Sequence, residues 1–250
     1  MKNYIIGIAG QKNSGKDTLA SMINYIFSAG ITRANYSDWI TKRITYDNKY
    51  QNRIVHFADS CKDALSIIFS IPRVLFDDRK YKDDLWYCFT SGNFVEDNII
   101  NRVNDTHINI TIDMLKNNSL SDIIKNNIGK FIYIKIRTLM QYFGTNICRN
   151  YICDYIWIRS TINKAVDIAC IKRICIIPDV RFENECNAIR NNVNDLYGCV
   201  IKIIRNKEEN ITHSSENINF STEFTIYNNE SLMSLFYKAL NIVESIKKNK

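Results

Sequence analysis

Short apolar runs alternate with amphipathic segments along most of the chain. In the amphipathic segments an apolar residue recurs every three or four positions, which is typical of a helix that buries one face. Strands are predicted at residues 4–9, 53–58, 173–177, 198–204 and 224–227. Helices are predicted at residues 18–27, 63–69, 137–143, 155–169, 182–191 and 231–246. Strands that alternate with helices predict an α/β fold with a doubly wound parallel sheet, which binds ligands at the carboxyl ends of its strands.

Two regions depart from this alternation. Between residues 73 and 135 the pattern weakens into mixed polar and aromatic sequence with Asn-rich patches. This region, 73–135, is predicted to be an inserted, partly helical substrate region within a single domain, 1–250. Gly144 is predicted to interrupt the helix that begins at Arg137, because glycine is a weak helix former.

The first apolar run leads directly into the pattern G-x-x-x-x-G-K. The two glycines permit backbone angles that turn several N–H groups toward one anion, and the following helix directs its positive end to the same point. The lysine of the pattern adds a charge that reaches the β- and γ-phosphates of a nucleotide. We therefore predict a nucleoside triphosphate site. Its residues are Gly10, Asn13, Ser14, Gly15, Lys16, Asp17 and Thr18.

The residue after the lysine departs from the usual pattern. That position ordinarily holds a Ser or Thr whose hydroxyl ligates Mg²⁺. This chain has Asp17 there, and the hydroxyl comes one place later at Thr18. Both side chains are candidate metal ligands.

Charged residues follow several predicted strands at their carboxyl ends. They are Asp59, Lys62, Asp179, Arg181 and Arg205. Parallel strands bring such positions to one rim of a sheet, where the phosphate-binding loop is also expected. Phosphoryl transfer needs mainly a metal ion and cations around the transferred group. The set therefore suits phosphoryl transfer.

Simpler interpretations exist for the same charged residues. Asp179 is a candidate cap for the helix after it, and Arg181 is a candidate partner in a surface ion pair. Lys62 and Arg137 fit solvated helix faces equally well. His213 alone is more often a hydrogen-bonding residue than a catalyst.

Composition narrows the class of protein. The chain is 46% hydrophobic and 24% charged, and no apolar stretch approaches the roughly 20 residues that span a bilayer, so we expect no membrane association. The first apolar run is too short for a signal peptide. We therefore expect a cytoplasmic protein, in the host cytoplasm if it is viral. Abundant Asn and Ile are typical of A·T-rich genomes, including those of many large DNA viruses.

Neither the cysteines nor the net charge predicts a second site. The eight cysteines form no C-x-x-C pair and most lie in apolar runs, so they are predicted to be small buried hydrophobic residues. The net charge of +7 comes from scattered Lys and Arg, with one dense run at residues 247–250. We therefore expect anionic small substrates and no sequence-specific nucleic-acid binding.

Five segments, taken together and in this order, resemble the deoxynucleoside monophosphate kinases of tailed bacteriophages. The segments are residues 10–18 (GQKNSGKDT), 57–65 (FADSCKDAL), 137–145 (RTLMQYFGT), 177–185 (IPDVRFENE) and 212–216 (THSSE). The Ser-Gly-Lys-Asp-Thr form of the loop is distinctive of that group, and residues 225–246 are also similar. The resemblance covers most of the chain apart from residues 28–52 and 73–135.

The resemblance implies a P-loop kinase that uses ATP and Mg²⁺ to convert a deoxynucleoside 5′-monophosphate into the diphosphate, releasing ADP. It implies that Lys16 binds the β- and γ-phosphates, and that Asp17, Thr18 and Asp179 serve the metal. The catalytic residues it implies are Lys16, Asp179, Arg181 and Arg205. The substrate-binding residues it implies are Asp59, Lys62, Arg137, Gln141, Thr145, Arg181, His213 and Glu216.

The resemblance also implies a mobile lid at about residues 205–220. Closure of such a lid excludes water, which otherwise competes as acceptor and hydrolyses ATP. A homodimer is a further suggestion of the resemblance. The base of the acceptor stays open, because residues 73–135 carry no family motif although a substrate-selecting region is expected there.

Two other functions fit part of the pattern. Animal-type phosphomevalonate kinase also resembles the Ser-Gly-Lys-Asp loop and the later Asp-x-Arg element, but residues 137–145 and 212–216 favour the nucleotide kinase. The second alternative is a catalytically silent nucleotide-binding protein of a viral replication assembly that contacts nucleic acid through a basic surface. Retention of the charged residues at the strand ends together with the loop lysine argues against a silent protein.

Overall fold

The computed structural model describes residues 2–100, 106–191, 196–205 and 220–248. Its strands are β1 (Tyr4–Gly10), β2 (Leu85–Cys88), β3 (Phe94–Glu96), β4 (His107–Ile110), β5 (Phe131–Lys135), β6 (Ile174–Val180), β7 (Tyr197–Ile204) and β8 (Phe224–Tyr227). Its helices are α1 (Lys16–Ala29), α2 (Tyr36–Tyr50), α3 (Asp59–Phe69), α4 (Val74–Asp77), α5 (Arg79–Asp84), α6 (Asp97–Ile100), α7 (Met114–Asn117), α8 (Leu120–Lys125), α9 (Ile136–Gln141), α10 (Ile156–Lys172), α11 (Glu183–Arg190) and α12 (Leu232–Lys248). Gln51–Arg53 forms a 3₁₀ turn, and Tyr142–Ile152 forms a π-helix.

The chain divides into two compact units. The first unit consists of Met1–Phe57 and Ile158–Lys250, and the second is Ala58–Trp157. The region predicted as an insertion, 73–135, falls within the second unit. The limits of the insertion at residues 73 and 135, and its place within a single domain of residues 1–250, stay predictions. Among the described residues, none of the helices combines the length and the apolar character that crossing a membrane requires.

The first unit is built on a parallel sheet with the strand order β6–β1–β7–β8. Successive side chains of β1 point to opposite faces of the sheet. Ile6 and Ile8 pack in a cluster with α1 and α12, whereas Ile5 and Ala9 pack in another cluster with α10 and α11. Helices therefore cover both faces, and the predicted α/β fold with a doubly wound parallel sheet is confirmed.

One predicted strand of this unit, at residues 53–58, is wrong. Only Ile54 makes a β-bridge, to Ile176 of β6, and the adjacent Val55 N–H donates to the Ile176 carbonyl at 3.0 Å. Two residues later the Phe57 N–H donates to the carboxylate of Asp179 instead of a strand neighbour. Val55 and Phe57 of this segment are buried, but its backbone leaves the ladder after one bridge.

The second unit contains a sheet that the sequence pattern did not predict, with the order β3–β2–β5–β4. β2 pairs antiparallel with β3 and β5, and β4 pairs parallel with β5. Its core includes Leu65, Phe76, Ile134 and Leu139, each at most 1% exposed. These strands have only three to five residues, too few for a periodic pattern to stand out from the polar sequence around them.

The predicted interruption at Gly144 is also wrong. The helix that begins at Ile136 continues through Gly144 as a π-helix, in which the Cys153 N–H donates to the Cys148 carbonyl five residues earlier at 2.9 Å. Gly144 is buried, its carbonyl accepts a hydrogen bond from the Trp157 indole at 2.9 Å, and a methyl group on it would lie 3.1 Å from the Cys61 sulfur. Close packing, and not a turn, explains this glycine.

Candidate active site

The predicted phosphate-binding loop joins β1 to α1 in the first unit. β1 ends at Gly10 and α1 begins at Lys16, as the motif requires. Two residues of the loop have left-handed backbone angles, Asn13 with a φ of 63° and Gly15 with a φ of 100°. Alternation of right- and left-handed residues forms the kind of N–H nest that binds anions.

Both glycines of the loop occupy positions where a side chain does not fit. A methyl group on Gly10 would lie 2.6 Å from Ser14 Oγ and 2.7 Å from the Ile203 carbonyl oxygen of β7. A methyl group on Gly15 would lie 2.7 Å from Asn228 Nδ2, in addition to the strain of its positive φ. The tight curvature of the loop therefore depends on Gly10 and Gly15.

Two polar groups of the loop fit an anionic ligand. Ser14 is 2% exposed, and among the described residues its Oγ has no hydrogen-bond partner. Lys16 Nζ donates to the carbonyls of Gly10 and Gln11 at 2.7 and 2.6 Å. An orphaned buried hydroxyl is costly, and a phosphate oxygen is an acceptor that satisfies it. The hydroxyl and the ammonium are thus suitable donors to the phosphates of ATP.

The two candidate metal ligands lie in the first turn of α1. Asp17 is exposed and Thr18 is half-buried. The described part of the chain contains no group of three or more His, Cys, Asp or Glu side chains arranged to hold a metal ion. Mg²⁺ in nucleotide sites commonly takes one or two protein ligands and completes its shell with phosphate and water. Asp17 and Thr18 fit that mode of binding.

Asp179 and Arg181 lie at the carboxyl end of β6 and just beyond it. The Asp179 carboxylate accepts the Phe57 N–H, with both oxygens 3.1 Å from the nitrogen. Arg181 is exposed, and its side chain forms no ion pair or hydrogen bond with any part of the chain that the structure describes. The interpretation of Arg181 as one half of a surface ion pair is therefore not supported by these residues.

Glu185 holds the backbone that carries Arg181. It is only 2% exposed, and its Oε2 accepts the N–H of Arg181 at 2.8 Å and the N–H of Phe182 at 3.2 Å. These bonds satisfy donors at the start of α11, as in a capping box. The segment predicted only for its aspartate and arginine therefore contains a third important residue.

In the second unit, Lys62 of α3 belongs to an ion-pair network. Lys62 Nζ lies 3.4 Å from Asp59 Oδ1 and 3.0 Å from Asp77 Oδ1, and the Lys62 side chain is 12% exposed. Arg73 also pairs with Asp59 and Asp77, and with Asp63. The interpretation of Lys62 as a solvated helix residue is wrong, because its charge is largely buried and paired.

Arg137 and Gln141 lie one helical turn apart on α9, and Thr145 follows in the π-helix. Arg137 is about half exposed and its Nε pairs with Asp83. Gln141 and Thr145 are exposed. The spacing of four residues between consecutive members places them along one side of the helical segment.

A further lysine, Lys82 of α5, lies near these cations. Burial, followed by the charges of Lys62 and Arg137, lowers the pKa of Lys82 below its usual value. Among the described residues its ammonium has neither an ion pair nor a hydrogen bond, although Asp77 and Asp83 are close enough to act on it. We name Lys62, Lys82 and Arg137 the cation cluster. Lys82 was missed because it lies in the region without a periodic pattern.

Two other predicted residues, His213 and Glu216, lie outside the described residues, as does most of the predicted lid. Arg205 is described, and it is exposed directly after β7. Asn228 is a residue that the sequence interpretation missed. Its Nδ2 donates to the Ser14 carbonyl at 2.8 Å. Its place directly after β8, at the carboxyl end of a strand, was the available signal.

Comparison with known proteins assigns the family. A family model described as deoxynucleotide monophosphate kinase matches residues 84–239, more than half of the chain. This chain belongs to the deoxynucleotide monophosphate kinase family. It is therefore a member of a phosphotransferase family, as the resemblance of the five segments implied. No curated protein gives a significant match. The phosphate-binding loop at residues 10–18 lies outside the matched range, so the loop and the family match are separate observations.

Proposed function

We propose that the protein transfers the γ-phosphate of ATP to a deoxynucleoside 5′-monophosphate, giving the deoxynucleoside diphosphate and ADP. The observation that carries the proposal is the glycine-lysine loop between β1 and α1 in a chain that matches a deoxynucleotide monophosphate kinase model over residues 84–239. The loop supplies a donor site for a triphosphate, and the family supplies the class of acceptor.

On the donor side, the loop residues bind and orient the phosphates. Backbone N–H groups of the loop and the positive end of α1 neutralise the phosphate charge. Lys16 leaves its contacts with the Gly10 and Gln11 carbonyls to reach the β- and γ-phosphates, and the Ser14 hydroxyl gains an acceptor. These donors stabilise the charge that develops on the transferred group.

Asp17, Thr18 and Asp179 are the residues proposed to hold Mg²⁺. The ion, when bound with ATP, neutralises charge on the β- and γ-oxygens. Asp179 also accepts the Phe57 N–H, so its carboxylate has a fixed orientation before any metal binds. Asp17 is exposed in the first turn of α1, where a carboxylate is favoured by the helix dipole.

On the acceptor side, we propose that the cation cluster recognises the 5′-phosphate of the monophosphate. Lys62 and Arg137 already form ion pairs with Asp residues. Lys82 forms none among the described residues, so its ammonium can bind an anion without first breaking an ion pair. Gln141 and Thr145 are proposed to contact the nucleoside. Arg181, whose exposed guanidinium matches phosphate bidentately, is proposed to bind the acceptor phosphate.

The lid is proposed to span about residues 205–220, beginning with Arg205. His213 and Glu216 are proposed to bind substrate as part of it. Closing on the substrates would exclude water and favour transfer over hydrolysis. The homodimer that the resemblance suggests and the cytoplasmic location expected from the sequence also stay proposals. Light scattering after size-exclusion chromatography measures the first of these directly.

The test of the proposed reaction is a panel of acceptors in a coupled assay of ADP release. The panel contains dTMP, dGMP, dCMP, dAMP, the ribonucleotide counterparts and mevalonate 5-phosphate, each with ATP and Mg²⁺. We expect turnover on one or more deoxynucleotides, which also identifies the base. Turnover on mevalonate 5-phosphate alone would establish the other kinase class. Tight ATP binding with no acceptor turnover would establish the silent nucleotide-binding protein.

A further inference from the structure

The last strand of the first unit holds the phosphate-binding loop through one side chain. Asn228, directly after β8, donates from Nδ2 to the Ser14 carbonyl at 2.8 Å. Its own backbone N–H donates to the Ile204 carbonyl at 2.7 Å, which continues the pairing of β8 with β7. The Asn228 backbone is therefore fixed by the sheet, and the amide group has a defined position from which to act on the loop.

The contact controls the direction of a loop N–H group. The peptide between Ser14 and Gly15 is planar and trans, so its carbonyl and its N–H point in opposite directions. Because Asn228 holds the Ser14 carbonyl, the Gly15 N–H must point away from Asn228. Gly15 has a φ of 100° and is the residue just before α1, so its N–H belongs to the group of donors that a phosphate-binding loop uses.

The Asn228 amide also packs closely against the Gly15 backbone. A methyl group on Gly15 would lie 2.7 Å from Asn228 Nδ2, so the amide fills the space next to the Gly15 backbone. Gly15 has no side chain to set its own conformation and the left-handed region is one of several that glycine adopts. The Leu19 N–H holds the carbonyl side of Gly15 at 2.9 Å, and the Asn228 amide holds the peptide on its other side, so the two hydrogen bonds together restrict Gly15 to one conformation.

We propose that Asn228 is a positioning residue for the donor phosphates, which sets the Ser14–Gly15 peptide so that the loop is ready to bind a polyphosphate. The proposal rests on the proposed function, because it assumes that the loop binds ATP. Asn228 acts through the loop and touches neither the nucleoside nor the acceptor. Its loss should therefore weaken every ligand that carries the polyphosphate, by a similar factor.

The experiment measures two ligands on three proteins by isothermal titration calorimetry. The ligands are ADP and inorganic tripolyphosphate, which has the phosphates without the nucleoside. The proteins are wild type, Asn228→Ala, which removes the donor, and Asn229→Ala, a matched change at the exposed next residue. We expect both ligands to bind Asn228→Ala about tenfold more weakly, equivalent to about 1.4 kcal/mol, and to bind Asn229→Ala as they bind wild type.

Steady-state kinetics supply a readout that a purely structural role would not move. We expect Asn228→Ala to raise the KM for ATP while leaving the KM for the monophosphate unchanged. Asn228→Asp keeps the size of the side chain but replaces the donor with an acceptor, so it tests the same contact if Asn228→Ala fails to fold. We expect Asn228→Asp to weaken both ligands at least as much.

Three results would overturn the inference. Unchanged binding of both ligands to a folded Asn228 variant would remove the positioning role. Weaker ADP binding with unchanged tripolyphosphate binding would show that Asn228 contacts the nucleoside instead of acting through the loop. Wild-type protein that binds neither ligand would overturn the proposed function, and the inference with it, and this result differs from the other two because it appears before any variant is made.

Discussion

Replacement of Glu185 by Ala should destabilise the first unit, although the sequence pattern gave no sign that this residue is important. The carboxylate is 2% exposed and accepts two backbone N–H groups, at 2.8 and 3.2 Å. Hydrogen bonds to charged groups contribute about 1.5–3 kcal/mol each, and loss of a helix cap costs about 0.5–2 kcal/mol. Arg181 and Phe182 are exposed enough for water to replace part of the loss. We therefore expect a decrease of about 2–4 kcal/mol in the free energy of unfolding.

The assay is thermal and urea unfolding of Glu185→Ala beside Glu183→Ala. Glu183 lies in the same first turn of α11 but is exposed, so its replacement by Ala removes the same charge without removing a buried group. For a chain of this length the loss at Glu185 corresponds to a fall in Tm of about 5–15 °C, whereas Glu183→Ala should cost less than about 1 kcal/mol. Equal stability of the two variants would refute the assignment of a buried capping carboxylate.

The same variant also tests how Arg181 is held. Glu185 fixes the backbone N–H of Arg181, so its removal should loosen the position of that guanidinium. Below its own Tm, Glu185→Ala should show a raised KM for the monophosphate, in the same direction as Arg181→Ala and smaller in size. An unchanged KM in Glu185→Ala alongside a raised KM in Arg181→Ala would contradict the link between the two residues.

Two further predictions concern the second unit and the cysteines. Lys82→Met should raise the KM for the monophosphate about tenfold, because it removes one charge from the cation cluster, while Lys80→Met on the exposed side of α5 should leave it unchanged; equal effects in steady-state assays would contradict this. Titration of native protein with Ellman's reagent at pH 8 should show two fast thiols, Cys153 and Cys170, because they alone among the cysteines are exposed. Burial raises the pKa of Cys175 to about 12, so it stays a neutral, unreactive thiol until the protein unfolds, and a third fast thiol would be inconsistent with the structure.

The sequence predicted the first unit well because three of its strands, β1, β6 and β7, are seven or eight residues long and mostly buried. β1 has consecutive apolar residues that are fully buried, such as Ile5 and Ile6, and the glycine-lysine pattern that follows has a specific physical meaning. Residues 53–58 also contain apolar residues, and a strand was predicted there. That strand does not form, because the Asp179 carboxylate takes the N–H that a strand would give to its neighbour.

The features that were missed depend on contacts between distant parts of the chain. Asn228 and Ser14 are 214 residues apart, and nothing in either local sequence indicates that they meet. The short strands of the second unit gain their order from pairing with one another, so each alone is indistinguishable from loop sequence. Gly144 resembles a helix breaker until its contacts with Cys61 and Trp157 explain why a small residue is needed there.

The measurement that tests the central claim most directly is the formation of a deoxynucleoside diphosphate from a radiolabelled monophosphate, ATP and Mg²⁺. Wild type, Lys16→Ala and Lys12→Ala are compared, since Lys12 is an exposed lysine of the same loop. We expect wild type to form one ADP for each diphosphate, and we expect Lys12→Ala to do the same at the wild-type rate. From a folded Lys16→Ala the rate should be lower by about 10²–10³-fold or more, because a charge that stabilises the transferred phosphate is lost. Diphosphate formation at the wild-type rate by Lys16→Ala, or no diphosphate from wild type with any deoxynucleotide, would contradict the account.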